Sequence, residues 1–198
     1  MKNGLSLFVC GLVPVVAGHG AVIDSGLLGG GLIPDNGSAV FQWTYTGSSA
    51  PIVGLTLSVS ISGAGGGGAY NGDLYATLQH SSGAATGFAV LLNRAGRTAG
   101  GAYGYGDDGI SVTFDDSVAA PDIHEYRYAL FGDHTTPLNG SLSGTWATDG
   151  RAVDPSDVEG GSLRTTSLLD FIGMDPNGEW LLYIADVSAG GYAQLDFW

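Results

Sequence analysis

An all-β fold is predicted, an antiparallel β-sandwich or jelly roll of about eight strands. Three observations predict it. Apolar residues recur with period two in segment after segment, the pattern of strands with one buried face. Clusters of Gly, Asn, Asp and Pro separate those segments at short intervals, and Gly alone supplies 35 of the 198 residues. No segment sustains a long helical period. The length suits one sizeable β domain, and nothing marks a second.

The chain opens with Met1-Lys2-Asn3, an apolar run from Leu5 to Val16, and small residues ending at Ala17. A basic start, a short apolar core and small closing residues describe a secretory signal peptide over 1–17. The run is too short for a comfortable membrane span. Cys10 lies inside it, without a small residue just before it, so the exported chain is expected to hold no cysteine and no disulfide. Residues 18–32 are Gly-rich and read as a flexible lead-in that closes with a short edge strand. The folded domain is then expected over 33–198.

Ile33-Pro34-Asp35-Asn36-Gly37 is a turn signature. Val40 to Tyr45 sets Phe41, Trp43 and Tyr45 on one face, which reads as core packing. Leu55, Leu57, Val59 and Ile61 alternate with Thr56, Ser58 and Ser60, giving the cleanest strand pattern in the chain. The glycines of 63–68 read as a hairpin tip; a phosphate loop would need a Lys-Ser/Thr ending and a following helix. Asn71-Gly72 reads as a tight turn whose two residues tolerate positive φ. Leu74, Ala76 and Leu78 then alternate with Tyr75, Thr77 and Gln79, and Phe88 to Asn93 returns after Ser81-Ser82-Gly83. The two runs form an antiparallel pair, the second covered on both faces or near the sheet centre.

Ile110 to Phe114 alternates again. Residues 119–136 are the least regular, a long surface excursion and the place for a short helix. Leu138 to Trp146 reads as turn plus strand, 149–157 as a polar loop, and Ser167 to Ile172 as a strand or a turn of helix. Pro176-Asn177-Gly178 is a turn. Trp180, Leu182 and Ile184 share one face of the next strand, and Tyr192 to Trp198 forms the last.

The formal net charge is −13, with six Lys and Arg against 19 Asp and Glu. Loss of a segment carrying Lys2, the single lysine, takes it to −14. Such a surface repels nucleic acid and anionic membranes, so neither is an expected partner. It favours cations.

Several separated blocks carry a family resemblance. They are Asn71-Gly72-Asp73-Leu74 and its strand, Phe171-Ile172-Gly173, Asn177-Gly178-Glu179-Trp180-Leu181-Leu182-Tyr183-Ile184-Ala185-Asp186, and Gly190-Gly191 through Trp198. Together they resemble the P domain (P/Homo B domain) of proprotein convertases and bacterial subtilisin-like proteases. With Asn93-Arg94-Ala95-Gly96-Arg97 and Val112-Thr113-Phe114-Asp115-Asp116 the string is similar to the version in exported bacterial proteins of the PEP-CTERM type. The resemblance implies a galactose-binding-like jelly roll, a secreted or cell-surface bacterial location, and an accessory, non-catalytic role beside a subtilisin-like serine endopeptidase. A protease domain and a sorting tail are not recognised within these 198 residues, so the sequence is expected to be either a fragment or a free secreted module.

Motifs for catalysis are missing: no G-x-S-x-G elbow, no H-E-x-x-H and no cysteine pair. Structural calcium is the best-supported ligand expected, because it takes six to eight oxygens from loop carboxylates and carbonyls. Asp107 with Asp108, Asp115 with Asp116, and Asp149 with Asp154 and Asp157 are the candidate clusters; the alternative is solvated acidic loops. Arg94 and Arg97 either pair with acidic loops or contact a ligand. Tyr103 and Tyr105 are candidate stacking platforms for a sugar. Two function classes follow: a non-catalytic interaction or structural module, and a carbohydrate-binding module.

Overall fold

Nine strands in two stacked sheets make up the computed structural model, which describes residues 22–198. The predicted signal peptide, with Lys2 and Cys10, lies outside the described residues. In chain order the strands are β1 (Gly29–Ile33), β2 (Ser38–Tyr45), β3 (Leu57–Gly63), β4 (Leu74–Ser82), β5 (Ala85–Asn93), β6 (Ile110–Phe114), β7 (Leu142–Trp146), β8 (Gly178–Asp186) and β9 (Ala193–Phe197). One sheet runs β1-β9-β3-β6-β7 and the other β2-β8-β4-β5. The all-β sandwich expected from period two is therefore present, with one strand more than counted.

The predicted alternation places the core. Val59, Ile61, Val112, Phe114 and Leu195 face inward from the first sheet, and Leu74, Ala76, Leu78, Leu182 and Ile184 from the second. Each large side chain withdrawn this way favours folding by about 1.5–3 kcal/mol at most. Phe41, Trp43 and Tyr45 point inward as expected but are only half-buried.

Two local expectations change. The pair β6–β7 is parallel, Ile110 opposite Leu142 through Phe114 opposite Trp146, so the sandwich is not wholly antiparallel. A parallel pair needs a crossover, and the excursion 115–141 supplies it. The crossover holds the one α-helix among the described residues, α1 (Tyr126–Phe131). The glycines of 63–68 do not close a hairpin; they carry the chain from β3 in one sheet to β4 in the other. Of the two readings of Ser167 to Ile172, the turn of helix is present, a 3-10 turn over Leu168–Phe171 with its capping box closed by Ser167 and Asp170.

Of the two readings of β5, cover is the one present: the strand lies at a sheet edge but is enclosed. The loop after β7 lies along it: the Leu91 carbonyl accepts from Asp149 N at 3.1 Å, the Val90 carbonyl from Gly150 N at 2.9 Å, and Val90 N donates to Thr166 Oγ1 at 3.0 Å. The continuous apolar run of β5 reflects this cover, with Ala89 to Asn93 all buried. The lead-in closes with an edge strand as predicted. That strand, β1, pairs with β9 from Gly29 opposite Phe197 to Ile33 opposite Ala193.

Candidate functional site

A cavity of about 470 Å³ opens between the sheets at one end of the sandwich. This lies within the size range of small-ligand pockets, roughly 300–1,000 Å³. Period two on β2 directs Trp43 and Tyr45 into it, their ring centroids 5.5 Å apart. Strand β8 contributes Trp180, the chain's last residue contributes Trp198, and the stretch before β3 contributes Pro51 and Ile52. Hydroxyls of Ser25, Ser48, Thr56 and Ser117 complete the lining. Among the described residues, no His, Asp, Glu, Lys, Arg or Cys side chain lines it.

The aromatic wall is held rigidly. The Trp180 indole N–H donates to the Pro176 carbonyl at 3.1 Å, and its ring stacks on His80 at 3.9 Å. His80 is fully buried, with Nδ1 3.0 Å from the Glu179 carbonyl and Nε2 2.7 Å from the Asp175 carbonyl. Asn177 ties this turn to the loop after β2: its Oδ1 accepts from Gly47 N at 2.7 Å and Ser48 N at 3.1 Å. The predicted turn at Pro176-Asn177-Gly178 thus braces one side of the cavity.

The residues singled out for ligands go elsewhere. Asp107 is buried, and Arg127 grips it with Nε and Nη2, both at 2.8 Å. Tyr126 Oη at 2.6 Å and Leu138 N at 2.8 Å also donate to it. Burial opposes its charge, but these donors outweigh burial and hold the carboxyl below the usual carboxylate range. Asp108 accepts from Ala69 N at 2.7 Å. Asp116 accepts from Thr148 N, Thr148 Oγ1 and Leu168 N. Asp115 and Asp154 each cap an exposed turn, through Ser117 and Ser156, and Asp157 closes the second turn with its own N–H to the Asp154 carbonyl.

Asp149 is separated from Asp154 and Asp157 by burial. It is fully enclosed, where a solvated polar loop was expected. His124 Nδ1 stands 2.8 Å from its Oδ2, Asn93 N donates to the same oxygen at 3.2 Å, and Arg151 Nη1 donates to Oδ1 at 3.2 Å. Arg151 reaches on to Asp122 at 2.7 Å and to the Gly160 carbonyl at 2.8 Å. His124 and Asp149 have the spacing of a base and its orienter. The other ring nitrogen, however, faces the Arg97 carbonyl at 3.3 Å and meets no hydroxyl. Among the described residues, no three His, Cys, Asp or Glu side chains stand where they could share a metal ion.

Arg94 sits buried, donating to the Gly72 carbonyl at 3.0 Å and to Ser188 Oγ at 2.9 Å, 3.7 Å from Asp73. Arg97 donates to the carbonyls of Val158 and Ser156. The two arginines bind this chain's own loops. Tyr105 is 3% exposed, its hydroxyl 2.7 Å from His134 Nδ1 and the Arg127 guanidinium 4.7 Å above its ring, so it offers no face to a sugar. Tyr103 is 75% exposed and remains available. Of the rings that do line a cavity, Trp43, Tyr45 and Trp180 were legible only as strand aromatics facing the core, and Trp198 only as the end of the last strand.

One carboxylate pair is strained electrostatically. Asp186 is buried beside Asp73 and Arg94, and burial pushes its carboxyl up to about 6, with Asp73 and Asp35 adding to the rise. Burial likewise raises Asp73. Between the ordinary value of 3.8 and about 6, the native state keeps a proton that the unfolded chain has lost. Stability therefore falls as pH rises through that window and stays lower above it. Asp186→Asn is expected to stabilise the fold by about 1–2 kcal/mol at pH 7.5 and by almost nothing at pH 4. Thermal melts of both proteins at the two pH values check this; equal gains at both would exclude the charge as the cause.

No protein-family model, curated protein or solved structure matches the chain.

Proposed function

We propose that the chain is a secreted, non-catalytic β-sandwich module that recognises a protein partner or supports a neighbouring domain. The P-domain resemblance supports an accessory place beside a subtilisin-like serine endopeptidase in a bacterial extracytoplasmic setting, on a galactose-binding-like jelly roll. One observation carries the reading. Among the described residues, the lining of the aromatic cavity has four large rings and several Ser and Thr residues but no acid, base or cationic side chain. Acid–base catalysis needs such a group within hydrogen-bond reach of substrate, whereas recognition of an uncharged group does not.

A second reading is a carbohydrate-binding module. The half-buried rings of Trp43 and Tyr45 beside Thr56 favour it, since sugar rings stack on aromatic faces while hydroxyls exchange hydrogen bonds. The test is a glycan array run beside a displayed peptide library on the same protein. Selective enrichment of peptides, lost in Trp43→Ala, supports the protein-recognition reading. A defined sugar signal lost in the same variant replaces it with the second.

A further inference from the structure

The four sheet edges are not equally protected. An edge strand presents a row of free N–H and C=O groups, and proteins blunt such edges by keeping them short, charging them, bulging them or covering them. Strand β5 is covered by the loop 147–166. Strands β1 and β7 are five residues each, and three of the five in β1 are glycine.

Strand β2 has none of these devices. It runs eight residues, Ser-Ala-Val-Phe-Gln-Trp-Thr-Tyr, with no charge, Pro or Gly. Its register against β8 is unbroken from Ser38 opposite Ala185 to Tyr45 opposite Gly178, so no bulge twists it away. Among the described residues its backbone bonds only to β8. In an antiparallel ladder alternate residues point their N–H and C=O away from the partner, leaving about four residues free to pair outward. Beyond them Phe41, Trp43 and Tyr45, which face inward, stay half-buried because no strand flanks them.

We propose that β2 is a strand-addition site for an extended peptide from another protein, and that an inward side chain of that peptide is directed to the aromatic cavity. Directly opposed residues on paired strands point to the same face. An added strand therefore sends alternate side chains to the face of Trp43 and Tyr45, the two β2 residues that line the cavity. Backbone bonds give such a complex its affinity, and a pocket for alternate side chains gives it specificity. The side chain that fits is aromatic or aliphatic, since among the described residues no charged group lines the cavity to meet an ion. The peptide is neutral or basic overall: the chain's net charge is −13, and Glu179 stands beside the edge, 2.5 Å from Gln42 Nε2. The same charge disfavours a second copy of this chain as the occupant. This inference rests on the protein-recognition reading above.

The probe is a blocked ten-residue peptide of alternating threonine and valine with one central phenylalanine and a lysine at each end. It is titrated into the protein and followed by tryptophan emission. Two controls accompany it: the same peptide N-methylated at every second amide, and the variant Val40→Lys/Thr44→Lys, both at exposed positions of β2. The expected result is saturable binding, weakened tenfold or more in the double variant and abolished by N-methylation, which leaves charge and side chains intact. Absence of binding, or equal binding of the N-methylated peptide, overturns strand addition. Should the double variant fail to fold, N-methylation decides alone. Peptide binding that ignores N-methylation keeps the recognition reading and rejects the edge. A sugar signal on the glycan array with no peptide binding rejects both.

Discussion

Asp149→Ala is expected to destabilise the protein by about 3–5 kcal/mol, because it strips the shared acceptor from a buried ionic cluster. Asp149 receives hydrogen bonds from Asn93 N and Arg151 Nη1 and faces His124 Nδ1, and none of these side chains is more than 3% exposed. Its loss leaves the Arg151 guanidinium with Asp122 as its one remaining carboxylate partner. It also leaves Asn93 N, at the end of β5, without a partner. The consequence is regional. The backbone of Asp149 and Gly150 and the Asn93 side chain bind the 147–166 loop to β5, while Arg151 and Arg164 brace the loop from within through the Asp149 carbonyl, so the variant should release that loop before the sandwich opens. Urea melts measure the loss, and limited proteolysis inside 147–166 locates it. Glu125→Gln is the control. It removes a 3.3 Å contact to His134, which is half-exposed, and should cost no more than about 0.5 kcal/mol. If the two variants melt alike, the enclosed cluster is not what fastens the loop.

Strand existence was legible because it depends on short-range alternation. Leu74 to Leu78 and Trp180 to Ile184 are buried on the face that period two assigns them. Strand neighbours were not legible, since pairing joins residues far apart in sequence. That Trp146 runs parallel to Phe114 follows from the crossover's path, which no local pattern states. Carboxylate roles were illegible for a related reason. Asp107 and Asp108 are adjacent and look equivalent, yet Arg127 and Tyr126 arrive at one and a loop amide at the other. Loops usually run over the surface, so Asp149-Gly150-Arg151 reads as solvated until its cover is known. Tyr103 and Tyr105, two residues apart, point to opposite environments, and only the position of α1 decides which is enclosed. The cavity assembles Trp43, Pro51, Trp180 and Trp198 from widely separated segments. Locally each reads as one more core side chain. The free edge of β2 likewise needs the strand order, because its sequence would suit a central strand equally well.

Gly72→Ala is expected to cost about 3 kcal/mol, for a reason other than the one its sequence suggests. Asn71-Gly72 reads as a turn that exploits positive φ, but Gly72 does not adopt one. It is needed because three stretches of backbone meet there with no room for a side chain. A Cβ on Gly72 would lie 2.1 Å from the Tyr103 carbonyl oxygen and 2.7 Å from Tyr105 N. Neither neighbour can yield cheaply. Tyr105 N donates to the Ala95 carbonyl at 2.8 Å, and the Tyr105 carbonyl accepts from Gly72 N at 2.8 Å. Gly72's own carbonyl accepts from Arg94, whose guanidinium is committed to Ser188 as well. Displacing the strand start would therefore break bonds to two loops at once and move Asp73, the buried neighbour of Asp186. Gly100→Ala supplies the contrast. Its Cβ would meet open space at an ordinary φ, so it should be neutral or stabilise by up to about 1 kcal/mol through the unfolded chain. Thermal melts of the two variants separate the explanations. A large loss in Gly72→Ala alone assigns the glycine to close backbone approach, while matched small effects would mean that the 103–105 loop can move aside freely.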